Sequence, residues 1–334
     1  MISIVVSSYQ EPLYQSFVNS VEKTIGVPYE IIKVENPGIM GICKAYNLGA
    51  SKAKYDIICF SHEDVLCYSE NWGEKVISHF NNIEVGMLGV TGCMVQTDIP
   101  SPWWYNSDFS TGAGRMLMKL ENGKYYDHIR NPFNDTSKTE VKVIDGLWFC
   151  IRKSLFEKIS FDELTFPGFH LYDMDISMQV NQISKCIVVY DILLEHVWQG
   201  KISNDYYEAL LDYINKWQSK GLPVMTSYIK DDYFGAYNWF ALLNVLGQMQ
   251  RSSISKEIIN KYKKYYYILQ KRPYKGIYRM FFDLSKLIGY KNALRVFIKL
   301  EKWFKILPSN LGYVEYKEVN RNELLTQKIV SNVG

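Results

Sequence analysis

The 334-residue chain is 47% hydrophobic, 22% charged and 15% aromatic, which excludes a disordered or collagen-like protein. Its net charge of +3 is too small to argue for nucleic acid, and no run approaches about 18 apolar residues, so no transmembrane helix is expected. Six cysteines, at 43, 59, 67, 93, 150 and 186, form no CxxC pair; this disfavours a zinc ribbon or disulfide framework and fits reduced thiols in a cytoplasmic compartment.

In chain order, Ile2–Ser7 is a short β-branched run that reads as a strand, with no basic stretch before it to suggest a signal peptide. Tyr14–Ile25 reads as a helix stopped by Gly26 and Pro28, and Glu30–Val34 as a second strand. Gly41–Lys54 carries Ile42, Ala45, Tyr46, Leu48 and Gly49 at helical spacing, and Asp56–Ser61 is a third strand. A helix over 72–80 and strands over 85–91 and 141–151 follow. This β-α-β-α-β order predicts a mostly parallel α/β sheet covered on both faces. Between 96 and 140, Pro100, Pro102, Trp103, Trp104, Gly112, Gly114 and Pro132 punctuate a polar, aromatic stretch that reads as a functional loop insertion.

An apolar strand over Cys186–Leu193 closes this part, and the pattern turns helical near residue 200. Ser203 or Asn204 can cap a helix whose Tyr207, Leu210, Leu211, Ile214 and Trp217 form a stripe, ended by Gly221 and Pro223. Further helices are expected near 235–250, 254–270, 276–288 and 290–306, so the chain divides into residues 1–200 and a helical region, 201–334. Residues 256–305 hold 14 Lys or Arg against 3 Asp or Glu, a local +11 that leaves −8 on the rest. Ala293–Leu307 sets Val296, Phe297, Leu300 and Trp303 on one face against Arg295, Lys299, Lys302 and Lys305. That pattern suits peripheral contact with an anionic membrane; it equally suits a helical subdomain with solvated lysines. No nucleic-acid motif accompanies it, and no nucleic-acid partner is expected.

Chemistry concentrates at strand ends. Phe60-Ser61-His62-Glu63-Asp64 delivers ionisable groups to the carboxyl edge of the sheet, where open α/β sheets bind ligands. Asp64, assisted by Glu63 or His62, can hold a divalent cation that bridges phosphates; a solvated turn capping the next helix is the plain alternative. Asp173 and Asp175 follow the aromatic turn Phe166–Tyr172 at a helix start, suiting either a base that takes a proton from a hydroxyl or ordinary capping. His196 follows an apolar strand and matters chemically if it reaches the Asp64 cation; otherwise it is structural. Ser7, Tyr9 and Glu11 after the first strand, with Glu35 and Asn36 after the second, can hold a nucleobase by stacking and edge hydrogen bonds. The absence of GxGxxG and GxxxxGK[ST] argues against a dinucleotide cofactor and a P-loop nucleotidase.

Taken in order, the segments at 3–11, 30–38, 41–65, 143–163, 166–180 and 195–200 resemble the family 2-like glycosyltransferases of GT-A fold. The resemblance covers roughly residues 1–200 and rests on G…A-x-N-x-G…A-K-x-D-I-I-x-F-x-x-x-D followed by F-x-G-F-H-x-Y-D-x-D. It implies an α/β fold with a mixed, mostly parallel sheet flanked by helices, here followed by a C-terminal helical subdomain. The family's metal-binding DxD falls on His62-Glu63-Asp64, with His62 in place of the first Asp, and His196 falls where a further metal ligand sits. Mn2+ or Mg2+ is the implied cofactor. Glu35 falls on the position that contacts the base, with Ser7, Tyr9, Lys44 and Asn47 beside it. Asp173 takes the place of the catalytic base, with Asp175 as runner-up. Asp145, Gly146 and Trp148 lie where acceptors approach.

The resemblance therefore implies an inverting transfer of sugar from a UDP- or GDP-sugar to a hydroxyl of a glycan or lipid-linked glycan, as in polysaccharide biosynthesis, in the cytoplasm or at the inner membrane face. Trp103 and Trp104 offer ring faces for an acceptor sugar or a homodimer contact. Two other functions fit parts of the pattern: a catalytically silent sugar-nucleotide or glycan-binding protein, and a nucleotidyltransferase. The second lacks its usual glycine-rich basic signature near the first strand.

Overall fold

Strand β1 (Ile2–Ser8) is buried on both faces, which explains its near-continuous apolar run. The computed structural model describes residues 1–106, 111–120, 122–133, 137–196, 202–228, 234–271 and 313–326, with short pieces between 283 and 299. After β1 come α1 (Glu11–Thr24), β2 (Tyr29–Glu35), α2 (Ile42–Lys52), β3 (Ile57–His62), β4 (Val65–Cys67), α3 (Trp72–Phe80), β5 (Val85–Gly89), β6 (Thr91–Cys93) and β7 (Val95–Gln96). Then follow α4 (Trp103–Asn106), β8 (Gly112–Lys119), β9 (Tyr125–Asn131), β10 (Lys138–Val141), β11 (Val143–Ile144), β12 (Trp148–Arg152), α5 (Tyr172–Asn181), β13 (Lys185–Val189) and β14 (Leu194–His196). The chain continues with α6 (Asn204–Trp217), β15 (Val224–Met225), α7 (Phe234–Met249), α8 (Lys256–Lys271), β16 (Tyr313–Val319) and α9 (Arg321–Thr326).

The main sheet has the order β10-β13-β5-β12-β3-β1-β2. Strands β2, β1 and β3 run parallel, while β12 enters antiparallel between β3 and β5. This is the mixed, mostly parallel sheet flanked by helices that the resemblance implies. Its register sets Ser8 against Glu35 and Ser7 against His62, so three strand ends reach the carboxyl edge at one level. On one face Ile2, Ile4 and Val6 pack with Phe17, Val21, Trp72 and Trp148. On the other, Phe60 stacks on Phe149 (5.3 Å) and meets Tyr46 and Phe161. Helix α2 closes against β1 through Gly49, where a Cβ would fall 2.2 Å from a Val5 methyl.

A second sheet has the order β11-β6-β8-β14-β4, with β9 on β8 and β16 on β9. It corrects the reading of 96–140 as loop: β8 and β9 lie inside that stretch, and β10 of the main sheet begins in it. Its Gly and Pro residues mark turns and close approaches between strands; Gly114, for example, leaves 2.8 Å between a Cβ and the Thr91 hydroxyl. The expected strand 141–151 is three pieces, broken by the Asp145–Leu147 turn.

Contacts divide the chain into two units, Met1–Gly92 with Ala113–Gln199 and Gly312–Gly334, and Cys93–Gly112 with Gly200–Leu311. This differs from a single cut at residue 200, because β16 returns to pair with β9 over Tyr313–Val319. In the second unit, α8 spends its apolar face on the interior: Ile258, Tyr262 and Leu269 are buried, and the Tyr262 hydroxyl donates to the Tyr207 carbonyl (2.8 Å). The helices expected at 276–288 and 290–306, including the amphipathic stretch 293–307, lie largely outside the described residues. All six cysteines are buried. Among the described residues, no helix is long and apolar enough to cross a membrane.

The Gly49 contact is a direct test of the α2–β1 packing. Replacing Gly49 with Ala is expected to cost about 1–3 kcal/mol by overpacking, measured as a lowered denaturant midpoint at unchanged m-value.

Candidate active site

Strand β3 ends at His62, a two-residue turn carries Glu63 and Asp64, and β4 leaves from Val65. Strand β14 pairs antiparallel with β4, His196 opposite Val65, so a residue 132 positions later lands beside Asp64. The His196 Nε2 lies 3.3 Å from Asp64 Oδ1 and 3.4 Å from His62 Nδ1; His62 Nδ1 lies 3.9 Å from Asp64 Oδ1. One ligand atom from each residue falls within 4.8 Å of the others.

Tyr172 orders this cluster. Its hydroxyl is 3.0 Å from the Gly146 carbonyl, to which it donates, and 2.6 Å from His62 Nε2. A phenol has one proton, so His62 must donate Nε2–H to the phenol oxygen, which leaves the Nδ1 lone pair facing Asp64 and His196. Burial, aided by the charge of His196 and opposed by Asp64, pushes the His62 pKa down to about 4, so the ring is neutral near pH 7. Burial also opposes ionisation of Asp64, but the hydrogen bond and charge of His196 outweigh it and hold the carboxyl below its usual range. An anionic carboxylate with converging imidazole nitrogens fits a manganese-like cation.

The same tyrosine leads to the second carboxylate. Leu171 holds φ 64°, an uncommon conformation for a branched residue, and turns the chain into α5. Tyr172 and Asp173 then face the Asp145–Leu147 turn, and the Gly146 N–H donates to Asp173 Oδ2 (3.1 Å). Gly146 must be glycine, since a Cβ would lie 2.2 Å from the Tyr172 hydroxyl. Burial first, and Asp145 second, push the Asp173 pKa up to about 7. Burial likewise raises Asp145, whose Oδ1 accepts the Leu147 N–H (2.9 Å). Hydrogen bonds thus run from His62 through Tyr172 and Gly146 to Asp173.

Other expected site residues are placed differently. Asp175 is buried and takes a hydrogen bond from Gln179 (2.8 Å), two positions along α5 from Asp173 and so on another face. Glu63 is buried and accepts the Tyr9 and Gln10 N–H groups (3.1–3.4 Å), holding the β1–α1 junction where nucleotide contact was expected. Asn47 spends its amide on the Phe161 backbone and the Glu163 carboxylate. Trp148 lies in the core, edge-on to Trp72 at 5.6 Å, and is not exposed to an acceptor. Trp103, in the second unit, is buried against Trp104 at 5.9 Å and offers no open ring face.

At the β1–β2 edge, Tyr9 is exposed, Ser7 accepts from Asn36 (3.2 Å), and Lys33 bridges Glu11 and Glu35 at 2.6 Å each. Lys44 is exposed on α2. Sequence reasoning missed Lys33, which had no motif to mark it. It also gave no task to Tyr172, whose one signal was its place before Asp173.

A carboxylate–imidazole cluster at the carboxyl edge of a mixed α/β sheet, linked to a second carboxylate at a helix start, forms a candidate active site of an α/β enzyme. The chain belongs to the glycosyltransferase-like family, whose model matches residues 3–215. Similar solved structures include GalNAc-T7 with UDP, GalNAc and Mn2+ (13% identity, 79% of this chain and 55% of that one, TM-score 0.45). Another is the mannosyltransferase PcManGT from Pyrobaculum calidifontis in complex with GDP-Man and Mn2+ (12% identity, 91% and 87%, TM-score 0.46). The chain thus spans about 55% of the length of the GalNAc-T7 chain. No curated protein matches it.

Tyr172 supplies a test of the cluster. Tyr172→Phe removes the acceptor that fixes the His62 tautomer and is expected to weaken Mn2+ binding about tenfold, read by titration of the nucleotide-free protein.

Proposed function

We propose that this glycosyltransferase-family chain is a metal-dependent, inverting enzyme that moves a sugar from a UDP- or GDP-sugar to a hydroxyl of a glycan or lipid-linked glycan. The observation that carries the reading is the hydrogen-bonded path from the His62–Asp64–His196 cluster to Asp173. The cation site and the base are thereby held in one frame.

Asp64, His62 and His196 would hold the cation. Bound there, Mn2+ or Mg2+ would neutralise charge on the departing nucleoside diphosphate. Asp173, with a pKa near 7, takes the acceptor proton at its carboxylate as the hydroxyl attacks the anomeric carbon. Its role as base rather than nucleophile makes the reaction a single displacement, with attack opposite the leaving group and inversion at that carbon. Asp145 raises the basicity of Asp173, and the Gly146 N–H fixes its orientation. Tyr9 and the Ser7–Asn36 pair border the carboxyl edge where the base of the nucleotide would lie.

Asp173→Asn is expected to lower turnover about 10²–10⁴-fold with nucleotide affinity nearly unchanged, measured by donor turnover and by calorimetry with UDP and GDP. Normal turnover would remove Asp173 from the role. Product stereochemistry by NMR tests inversion separately.

The pH dependence follows from the same carboxyl. As Asp173 must be ionised to act, kcat/KM should rise with unit slope up to about pH 7 and then level, and Asp173→Asn should abolish that limb. For stability the sign is reversed. A carboxyl whose folded pKa lies above its unfolded value destabilises the fold increasingly as pH rises from about 4 to about 7, and by a constant amount above that. Asp173→Asn should therefore stabilise the fold at pH 8 by up to on the order of 4 kcal/mol and have little effect below pH 4, measured by denaturant unfolding at the two pH values.

A further inference from the structure

The cation cluster depends on β14 lying correctly against β4, and the reverse side of that pair carries a second charged cluster. Strand side chains alternate, so Glu195 points away from His196. The Glu195 side chain is 7% exposed, and its Oε2 accepts from the Tyr68 hydroxyl, one residue past β4, and from Arg321 Nε at 2.9 Å. Arg321 Nε also lies 3.0 Å from the Tyr68 oxygen, and its guanidinium sits 5.4 Å from the centre of the Tyr125 ring. Arg321 reaches this place through strand pairing: β16 pairs with β9, Val319 opposite Tyr125, and α9 starts two residues later.

We infer that Arg321 is a positioning residue for the cation site: through Glu195 and Tyr68 it clamps β14 to β4, so that His196 and Asp64 stay within ligand distance of each other. The inference rests on the cation reading of His62, Asp64 and His196 given above. A buried carboxylate that loses its cation is strongly disfavoured where it stands. Glu195 lies in β14, which has three residues, the last of which is His196, so a displacement of Glu195 passes directly to His196. The clamp gives the C-terminal segment 313–326 a task in the site that does not require it to touch donor or acceptor.

The test uses the full chain with Arg321→Ala and Arg321→Lys, and Lys124→Ala as control. Lys124 pairs with Glu318 across the same β9–β16 pair at 2.8 Å without touching Glu195. Mn2+ binding to the nucleotide-free protein is read by electron paramagnetic resonance of the free ion. The His196 ring signal is read by NMR in the metal-free protein, among five histidines in the chain, with His79 as internal reference.

Arg321→Ala is expected to weaken Mn2+ binding about tenfold and to shift or broaden His196 but not His79. Arg321→Lys should restore part of both effects, and Lys124→Ala should move neither. An unchanged His196 signal in Arg321→Ala overturns the clamp whether or not metal binds. So does an equal change in Lys124→Ala, which would reduce Arg321 to general support of the β9–β16 pair. If the wild-type chain binds no Mn2+ while Arg321→Ala still shifts His196, the clamp stands and the cation reading is defeated.

Discussion

The pairing of two three-residue strands, β4 and β14, sets the geometry on which the site rests. Neither strand would hold alone, since a short strand gains little from its own hydrogen bonds. Their antiparallel register places His196 opposite Val65, next to Asp64. It is fixed by buried Leu194 and Cys67 in the core, by Tyr68 N–H donating to the Leu193 carbonyl (3.0 Å), and by Ser69 accepting the Leu193 N–H (2.8 Å). A slip of one residue would turn His196 to the opposite face and bring Glu195 in its place. The donor set of the cluster is therefore a consequence of register as much as of residue type.

Burial then shapes the chemistry of the groups brought together. Burial keeps His62 neutral, while the hydrogen bond and charge of His196 hold the Asp64 carboxyl below its usual range. At Asp173, burial and the neighbouring Asp145 raise the pKa to about 7. Two carboxylates on one hydrogen-bonded frame thus differ in protonation because their partners differ, the pattern that separates an electrostatic role from a proton-transfer role. Tyr172 joins them and requires glycine at 146, where the tyrosine oxygen occupies the space of a side chain.

Much of the first unit was legible locally. The β-branched runs at 2–7, 30–34 and 56–61 and the helical spacing of Ala45, Tyr46 and Gly49 correspond to β1, β2, β3 and α2. His62, Asp64 and His196 were placed by motif and do cluster. The roles given to Asn47, Glu63 and Trp148 fared worse, because a polar or aromatic side chain near a site looks the same in sequence whether it faces the cleft or the interior. Asn47 turns to the Phe161 backbone, Glu63 to the Tyr9 and Gln10 N–H groups, and Trp148 to Trp72. The strands of 112–131 pair with each other, but their outer partners are remote: β14, on β8, lies at residues 194–196 and β16, on β9, at residues 313–319.

By itself the sequence determined the strands and helices of residues 2–62 and where ionisable groups leave the sheet, because both depend on residue type and on periods of two and 3.6. Only the tertiary structure decided which of those groups meet. His196 joins Asp64, Tyr172 joins His62, and Arg321 joins Glu195 across separations of 132, 110 and 126 residues. Such meetings depend on strand register and on the competition for buried hydrogen-bond partners, and no local pattern in the chain encodes either.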